Sequence, residues 1–285
     1  SSHQLSYAKI SPSISIILDI SPEHLDYYKS FDQYVEAKSQ ISRFQTENDL
    51  VIFNDKLKIP TKLANLGKAE QITFNFEENV SENSIVYQDE VIIDIDKLPV
   101  IGKHNVLNSI PSIVVAKELG CKTFDINRSL KTFNTLPHRL EIVTNSGGIA
   151  YVNDSLSTTP KSTIAAIRSF HNSPIILLVG GHERNLDFAE LAETINKHNI
   201  KHLILLPDTG RKILEEVESH SRAQGLQEAS RAKHTHAGDM KEAVQIAKTV
   251  AESGDIVLLS PAAASFGHFK DYQDRGDQFR KFVSE

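Results

Sequence analysis

"PIILLVGGHERNLDFAELAETINKHNIKHLILLP", Pro174 to Pro207, reads as a strand, a glycine-marked turn, a helix and a second strand. Both apolar runs are unbroken rather than alternating, the pattern of strands buried on two faces. Between them "DFAELAETINKHN" places its apolar residues at helical spacing. A strand–helix–strand unit this short predicts parallel strands.

The same grammar extends outward. Upstream, "RLEIVT" and "GIAYVND" are strands flanking Gly147-Gly148, and "TPKSTIAAIRSF" is a helix. Downstream follow "KHLILLP", "TGRKILEEVESH", a polar stretch from Ser221 to His236, "DMKEAVQIAKTVAES", "DIVLLS" and a last helix running to Glu285. Apolar strands alternating with amphipathic helices predict a parallel sheet covered on both faces, a Rossmann-like unit. It begins at "TLPHRLEIV", which places a domain boundary near Leu136, giving 1–135 and 136–285.

The first part reads less completely. "SISIILD", Ser13 to Asp19, is a half- to fully buried strand; "SPEH" is a turn and helix start, with Pro22 in the first turn. "FDQYVEAKSQISRF", Phe31 to Phe44, is a helix with Phe31, Tyr34, Ile41 and Phe44 on one stripe. The runs "LVIFN", "QITFNF", "SIVYQ" and "VIIDID" suggest a small sheet extension. His104 to Gly120 reads as a helix closed by glycine despite Pro111, and "FDINRSLKTF" as another with Asp125 as N-cap. Core strands are few for this length. With Ser1 first and Met240 the only methionine, we expect an N-terminal portion to lie upstream.

Composition narrows the class. The 285 residues are 40% hydrophobic and 24% charged, with a formal net charge of −6, which argues against a nucleic-acid surface. No apolar run approaches the ~20 residues that cross a bilayer, and "SSHQLSYAKI" lacks the regions of a signal peptide. A single cysteine, Cys121, excludes an intrachain disulfide and fits a reducing compartment.

Candidate chemistry sits at strand ends and on one helix. Lys38 shares the apolar stripe of Phe31–Phe44. It either runs its stem along that stripe with the ammonium in water, or is buried near a metal or anion. A buried, neutral lysine can take up carbon dioxide as a carbamate, an oxygen donor suited to Mg²⁺. His24 would be its neighbour. "VNDSLSTTP", Val152 to Pro160, ends a strand and opens a helix. Its hydroxyls can cap that helix; alternatively Asp154 orients a ribose, a metal-bound water or a basic partner, and Thr158 with the next amides holds an anion. In "LLVGGHERNLDF", Arg184 is either an exposed arginine or a fork for a carboxylate. "LLSPAAASFGHFKDYQDRGDQF" offers Ser265 to a small substrate, with Phe266 and Tyr272 as walls. Asn105 and Asn108 share a helical face and can read an adenine edge; Arg139 can meet a phosphate. No GxGxxG fingerprint and no G-x-x-x-x-G-K-[ST] phosphate loop occurs in the chain, which disfavours a nicotinamide-dependent oxidoreductase.

Taken in order, "SSHQL", "ISPEHLDYY…QYVEAK", "GKHNVLNSI", "TLPHRLEIV", "VNDSLSTTP", "LLVGGHERNLDF" and "LLSPAAASFGHFKDYQDRGDQF" resemble the Mur ligases, and within them the branch that adds glutamate to UDP-N-acetylmuramoyl-L-alanine. The resemblance implies an α/β fold: the remainder of a P-loop-type central ATPase domain followed by a Rossmann-like C-terminal domain. It implies a cytoplasmic, monomeric enzyme of peptidoglycan precursor synthesis, using ATP and Mg²⁺, with neither nucleic acid nor membrane insertion among its partners. By it, Lys38 is carbamylated and supports a metal that His24 binds. Asn105, Asn108, Arg139 and Asp154 serve ATP. Thr158, Arg184, Ser265, Phe266 and Tyr272 hold glutamate, and Ser1, Ser2 and Gln4 line the nucleotide-sugar channel. The family's phosphate loop would lie upstream, so the polypeptide as given is not expected to turn over. Leu156 and Arg184 stand where such enzymes often carry lysines, which leaves D- against L-glutamate open. A folylpolyglutamate synthase-like ligase and a non-catalytic nucleotide- or glutamate-binding module are the rival readings.

Overall fold

The structure, a computed structural model, describes residues 1–24, 27–225 and 232–285. Leu25 and Asp26 of the "HLDYY" motif, and 226–231 of the polar stretch, lie outside the described residues. The chain divides into two compact units, Ser1–Pro99 with His104–Phe133, and Val100–Lys103 with Asn134–Glu285.

In the first unit, β1 (Ile14–Ile17), β2 (Leu50–Phe53) and β3 (Glu70–Thr73) form a parallel sheet in that order. Helices α1 (Ser2–Leu5), α2 (Phe31–Arg43) and α3 (Lys58–Ala64) accompany it. Ile17, Val51, Phe53, Leu63 and Ala64 form its core, with Val35 and Ile41 of α2 packed against them. A short α4 (Phe76–Asn79) leads to an antiparallel sheet of β4 (Val80–Ser81), β5 (Ser84–Tyr87) and β6 (Glu90–Asp94). Then come α5 (Lys103–Glu118) and α6 (Thr123–Lys131).

Several local expectations are corrected here. "LVIFN" and "QITFNF" do not extend the same sheet as "SIVYQ" and "VIIDID"; the first pair joins β1, the second makes the separate antiparallel sheet. Among the described residues, 21–24 of "SPEH" are not helical: His24 has φ 55, a left-handed backbone, and its carbonyl accepts from the Tyr27 and Tyr28 amides. Asp125 is not an N-cap. Lys122 occupies that position and Asp125 sits in the first turn, where its charge favours the helix dipole instead. Phe44 lies just past α2 and is 44% exposed, so the buried stripe ends at Ile41.

The second unit contains β7 (Glu141–Ser146), β8 (Ile149–Asn153), α7 (Pro160–Ser169), β9 (Ile175–Gly181), α8 (Ala189–Lys197), β10 (Ile200–Asp208), α9 (Thr209–Ala223), β11 (Lys233–His236), α10 (Met240–Val250), β12 (Ile256–Leu259) and α11 (Tyr272–Ser284). The six strands lie in the order β11-β10-β9-β12-β8-β7. All neighbours are parallel except β7, which pairs antiparallel with β8. That exception has a local cause. Gly147 and Gly148 have φ 60 and 78, the consecutive left-handed pair of a tight hairpin turn.

Alternate residues of each central strand feed opposite cores. Ile175, Leu177 and Val179 of β9 pack with Ile164, Ile167, Leu191, Ile195, Ile213 and Val217 from α7, α8 and α9. Ile176 and Leu178 pack with Met240, Val244, Ala247, Phe279 and Val283 from α10 and α11. Double coverage explains why the strand sequences are apolar throughout. The polar stretch also yields a strand, β11. It lies at the sheet edge, where "KHTH" needs no buried side chains.

Candidate functional site

Because β12 lies between β8 and β9, the carboxyl ends of three parallel strands are adjacent. The loops that leave them are the three singled out in the sequence: Asp154–Thr159, His182–Phe188 and Ser260–Asp271. In open α/β sheets this is the edge where ligands bind. Close approach is built into it. At Gly180, φ 125, a Cβ would lie 2.5 Å from the Leu206 carbonyl oxygen; at Gly181, φ 148, 2.3 Å from that of Ala264. Only glycine lets β9 end so near both neighbours.

Asp154 is the hub of these loops. It is buried, and both oxygens are engaged: Oδ1 accepts from Leu140 N at 3.1 Å, and Oδ2 from Ser157 Oγ at 2.5 Å and Ser260 Oγ at 2.8 Å. Burial pushes its carboxyl up to about 6, opposed by those hydrogen bonds and by Arg139. The bond to Leu140 anchors an unusual turn. His138 and Leu140 have φ 65 and 43 and are buried, whereas Arg139 between them is exposed. His138 N donates to Glu141 Oε2 at 2.9 Å, its carbonyl accepts from Leu156 N at 3.0 Å, and its Nδ1 lies 3.0 Å from Asn153 Nδ2.

Arg275 is a functional candidate that sequence reading overlooked. It is wholly buried on α11, and among the described residues no carboxylate is a hydrogen-bond partner. Its Nε donates to Ser155 Oγ at 3.0 Å, one terminal nitrogen to Ser155 O at 2.9 Å and the other to Ala263 O at 3.0 Å. The fork therefore staples the β8 loop to the β12 loop. Burial draws the guanidinium down to about 9, which still leaves it charged at neutral pH. The signal was available: Arg275, Phe279 and Val283 recur every four residues and share the buried face.

The remaining proposed glutamate residues fall on the same edge. Thr158 lies one residue before Thr159, the N-cap of α7, whose capping box with Ser162 uses the hydroxyls as expected. Ser265 is buried, and Phe266, 57% exposed, meets the His182 ring edge-on at 6.3 Å. Tyr272 faces His138 edge-on at 5.9 Å, and its carbonyl accepts from Ser155 Oγ at 2.7 Å. Arg184 is half-buried in the β9 loop.

The first unit gathers a second set. The rings of His3 and His24 are 5.4 Å apart, those of His24 and Tyr34 6.2 Å, and those of Tyr28 and Tyr34 5.4 Å. Lys38 is half-buried, with Nζ 4.9 Å from the Tyr34 ring centroid. Burial lowers its proton affinity, an effect that Glu23 opposes; burial also pushes Tyr34 up to about 12. Ser1, Ser2 and Gln4 belong to α1, whose capping box joins Ser1 and Gln4. Asn105 and Asn108 lie three apart on α5. Among the described residues, no three His, Cys, Asp or Glu side chains are grouped to hold a metal. His24 and a neutral Lys38 offer two nitrogens, a poor set for Mg²⁺; carbamylation of Lys38 would supply oxygen. A Mg²⁺ that keeps waters and takes phosphate oxygens needs little more from the protein.

Two family models match the chain: the Mur ligase middle domain over residues 1–116, and the Mur ligase, glutamate ligase domain over 138–263. The UDP-N-acetylmuramoylalanine–D-glutamate ligase of Clostridium tetani (strain Massachusetts / E88) is 34% identical over 290 residues, covering 99% of this chain and 62% of that protein. The enzyme of the same name from Streptococcus agalactiae serotype Ia is 35% identical over 285 residues, covering 98% and 60%. The chain thus spans about three fifths of the length of these curated relatives. Among solved structures, MurF ligase from Thermotoga maritima in complex with ADP superposes with a TM-score of 0.67 at 15% identity, covering 99% of this chain and 64% of that one. Mycobacterium tuberculosis folylpolyglutamate synthase, complexed with ADP and AMPPCP, gives 0.65 at 12% identity, covering 97% and 65%. Those two likenesses carry the fold alone, a mixed α/β architecture with parallel sheets. The two matched domains, with relatives 34–35% identical along 98–99% of this chain, establish that this chain belongs to the Mur ligase family.

Proposed function

We propose that this chain forms the ATP- and glutamate-handling portion of a cytoplasmic ligase that joins D-glutamate to UDP-N-acetylmuramoyl-L-alanine. The observation that carries this reading is the 34% identity to a D-glutamate ligase along 99% of the chain. Residues 1–135 are assigned to the ATP-binding domain and 136–285 to the glutamate domain.

In the reaction, the γ-phosphoryl group of ATP passes to the substrate carboxylate, giving an acyl phosphate and ADP. The glutamate amine attacks the acyl carbon, loses its proton, and expels phosphate to leave an amide. Arg139, thrust outward by its strained turn, is suited to phosphate charge. Asp154 serves it from behind, through Leu140. Asn105 and Asn108 are assigned to the adenine. Arg184 is assigned to a glutamate carboxylate, Ser265 and Thr158 to its polar atoms, and Phe266 and Tyr272 to its flanks. Ser1, Ser2 and Gln4 are assigned to the nucleotide-sugar channel. Mg²⁺, held by His24 and by Lys38 as its carbamate, would neutralise phosphate charge. The protein is expected to act as a monomer, with no nucleic-acid partner; among the described residues no helix is long and apolar enough to cross a membrane.

The test is ADP release by the longest polypeptide that the gene encodes, supplied with UDP-N-acetylmuramoyl-L-alanine, ATP and Mg²⁺. D-glutamate should support turnover. Turnover with L-glutamate alone, or with a folate acceptor instead, would overturn the reading.

A further inference from the structure

The loop after β12 is firmly held at both ends. The Ala264 carbonyl accepts from His182 N at 2.8 Å, and Phe269 N donates to Ser265 O at 3.1 Å. Lys270 N donates to Asp274 Oδ2 at 3.0 Å, and Asp271 caps α11. Between these lie Phe266, Gly267 and His268, all exposed. Phe266 rests on His182, and His268 Nε2 meets Asp208 Oδ2 at 3.2 Å.

Asp208 is an unusual residue for its position. It ends β10 beyond a register irregularity between Leu205 and Asp208, of the kind that re-aims a side chain. Its backbone has φ 62 and ψ −100, which glycine adopts freely and an aspartate adopts under strain. It also occupies the N-cap of α9, where an aspartate ordinarily accepts a first-turn amide, yet its side chain caps nothing. The carboxylate reaches His268 instead. Glycine would serve the backbone better, so the side-chain contact is the feature that accounts for an aspartate here.

We propose that Asp208 and His268 form a tether that fixes the tip of the β12 loop, and with it Ser265 and Phe266, in the place where glutamate is held. Both are positioning residues. The functional half rests on the reading of this loop as glutamate-facing; the tether itself does not.

Three variants test it. Asp208→Gly removes strain and tether together, so melting temperature should rise while hydrogen exchange at the His182 and Phe269 amides quickens about tenfold. Asp208→Asn, which keeps the backbone strain, and His268→Gln should quicken that exchange without the thermal gain. In the longest polypeptide that the gene encodes, each should raise the KM for D-glutamate about fivefold, with kcat and the KM for ATP within about twofold. Unchanged exchange in Asp208→Gly overturns the tether. Quickened exchange with an unchanged glutamate KM overturns its role in positioning. A wild type that turns over no glutamate, with exchange still quickened in Asp208→Gly, overturns the glutamate reading and supports the tether alone.

Discussion

Ser260 donates its hydroxyl to Asp154 at 2.8 Å across 106 residues of sequence, joining the ends of two adjacent parallel strands. The carboxylate also holds the turn behind Arg139, so its ionisation bears on both loop order and stability.

Asp154 is raised by burial to about 6 from an ordinary 3.8. Folding therefore takes up a proton between those values. The stability this contributes is full below the unfolded value and is lost as pH rises through about 6, a change on the order of 3 kcal/mol. Asp154→Asn should remove that component. Urea midpoints of wild type and variant, compared from pH 4 to pH 8, should diverge within this window; parallel curves would refute the assignment.

Replacing Arg275 by methionine should be costly. The change leaves Ser155 O and Ala263 O without their buried donor. Unpaired groups of this sort cost about 1–3 kcal/mol each, so a loss of about 3 kcal/mol or more is expected in denaturant titration. Arg275→Lys should restore only part of it, since an ammonium cannot reproduce the fork.

Gly276→Ala sets two effects against each other. Alanine improves helix propensity by about 1 kcal/mol. Its Cβ, however, would sit 2.2 Å from His138 Nδ1 and 2.9 Å from the Asn153 amide atoms. Those are buried partners of the His138 turn, and overpacking there costs about 1–3 kcal/mol plus the His138–Asn153 contact. Net destabilisation should follow, visible as a lower melting temperature.

Arg139→Ala should separate function from stability. The side chain is exposed, so the melting temperature should stay close to wild type. In the longest encoded polypeptide, the KM for ATP or kcat should worsen on the order of 10²-fold, as for loss of a charge-stabilising donor. Retention of full activity would remove Arg139 from the nucleotide site.

Lys38, lowered in proton affinity by burial, should react with carbon dioxide. Protein equilibrated with ¹³C-bicarbonate and Mg²⁺ should show a carbamate carbon resonance that Lys38→Ala lacks. Identical spectra would exclude the modification under those conditions.

The parallel sheet was legible because strands buried on both faces, such as Ile175–Val179, cannot be polar anywhere. Helix α2 was legible from its stripe, and Lys38 stood out because it interrupts that stripe. Other features depend on contacts between residues distant in sequence. Nothing near Asp154 announces Leu140 or Ser260 as partners, so its part in anchoring the loops was not legible. Arg275 stayed hidden because an arginine on a terminal helix ordinarily faces water. The left-handed backbone at His24, His138 and Asp208 was also invisible, since none is a glycine.

The strand order has a bearing on biosynthesis. β12, which separates β8 from β9, is made almost last among these 285 residues. While the nascent chain ends short of Ile256, β8 and β9 each expose an unpaired, apolar inner edge. A premature stop after α10 would leave the domain split along its centre, with two sticky borders open to other chains rather than a trimmed but sound fold.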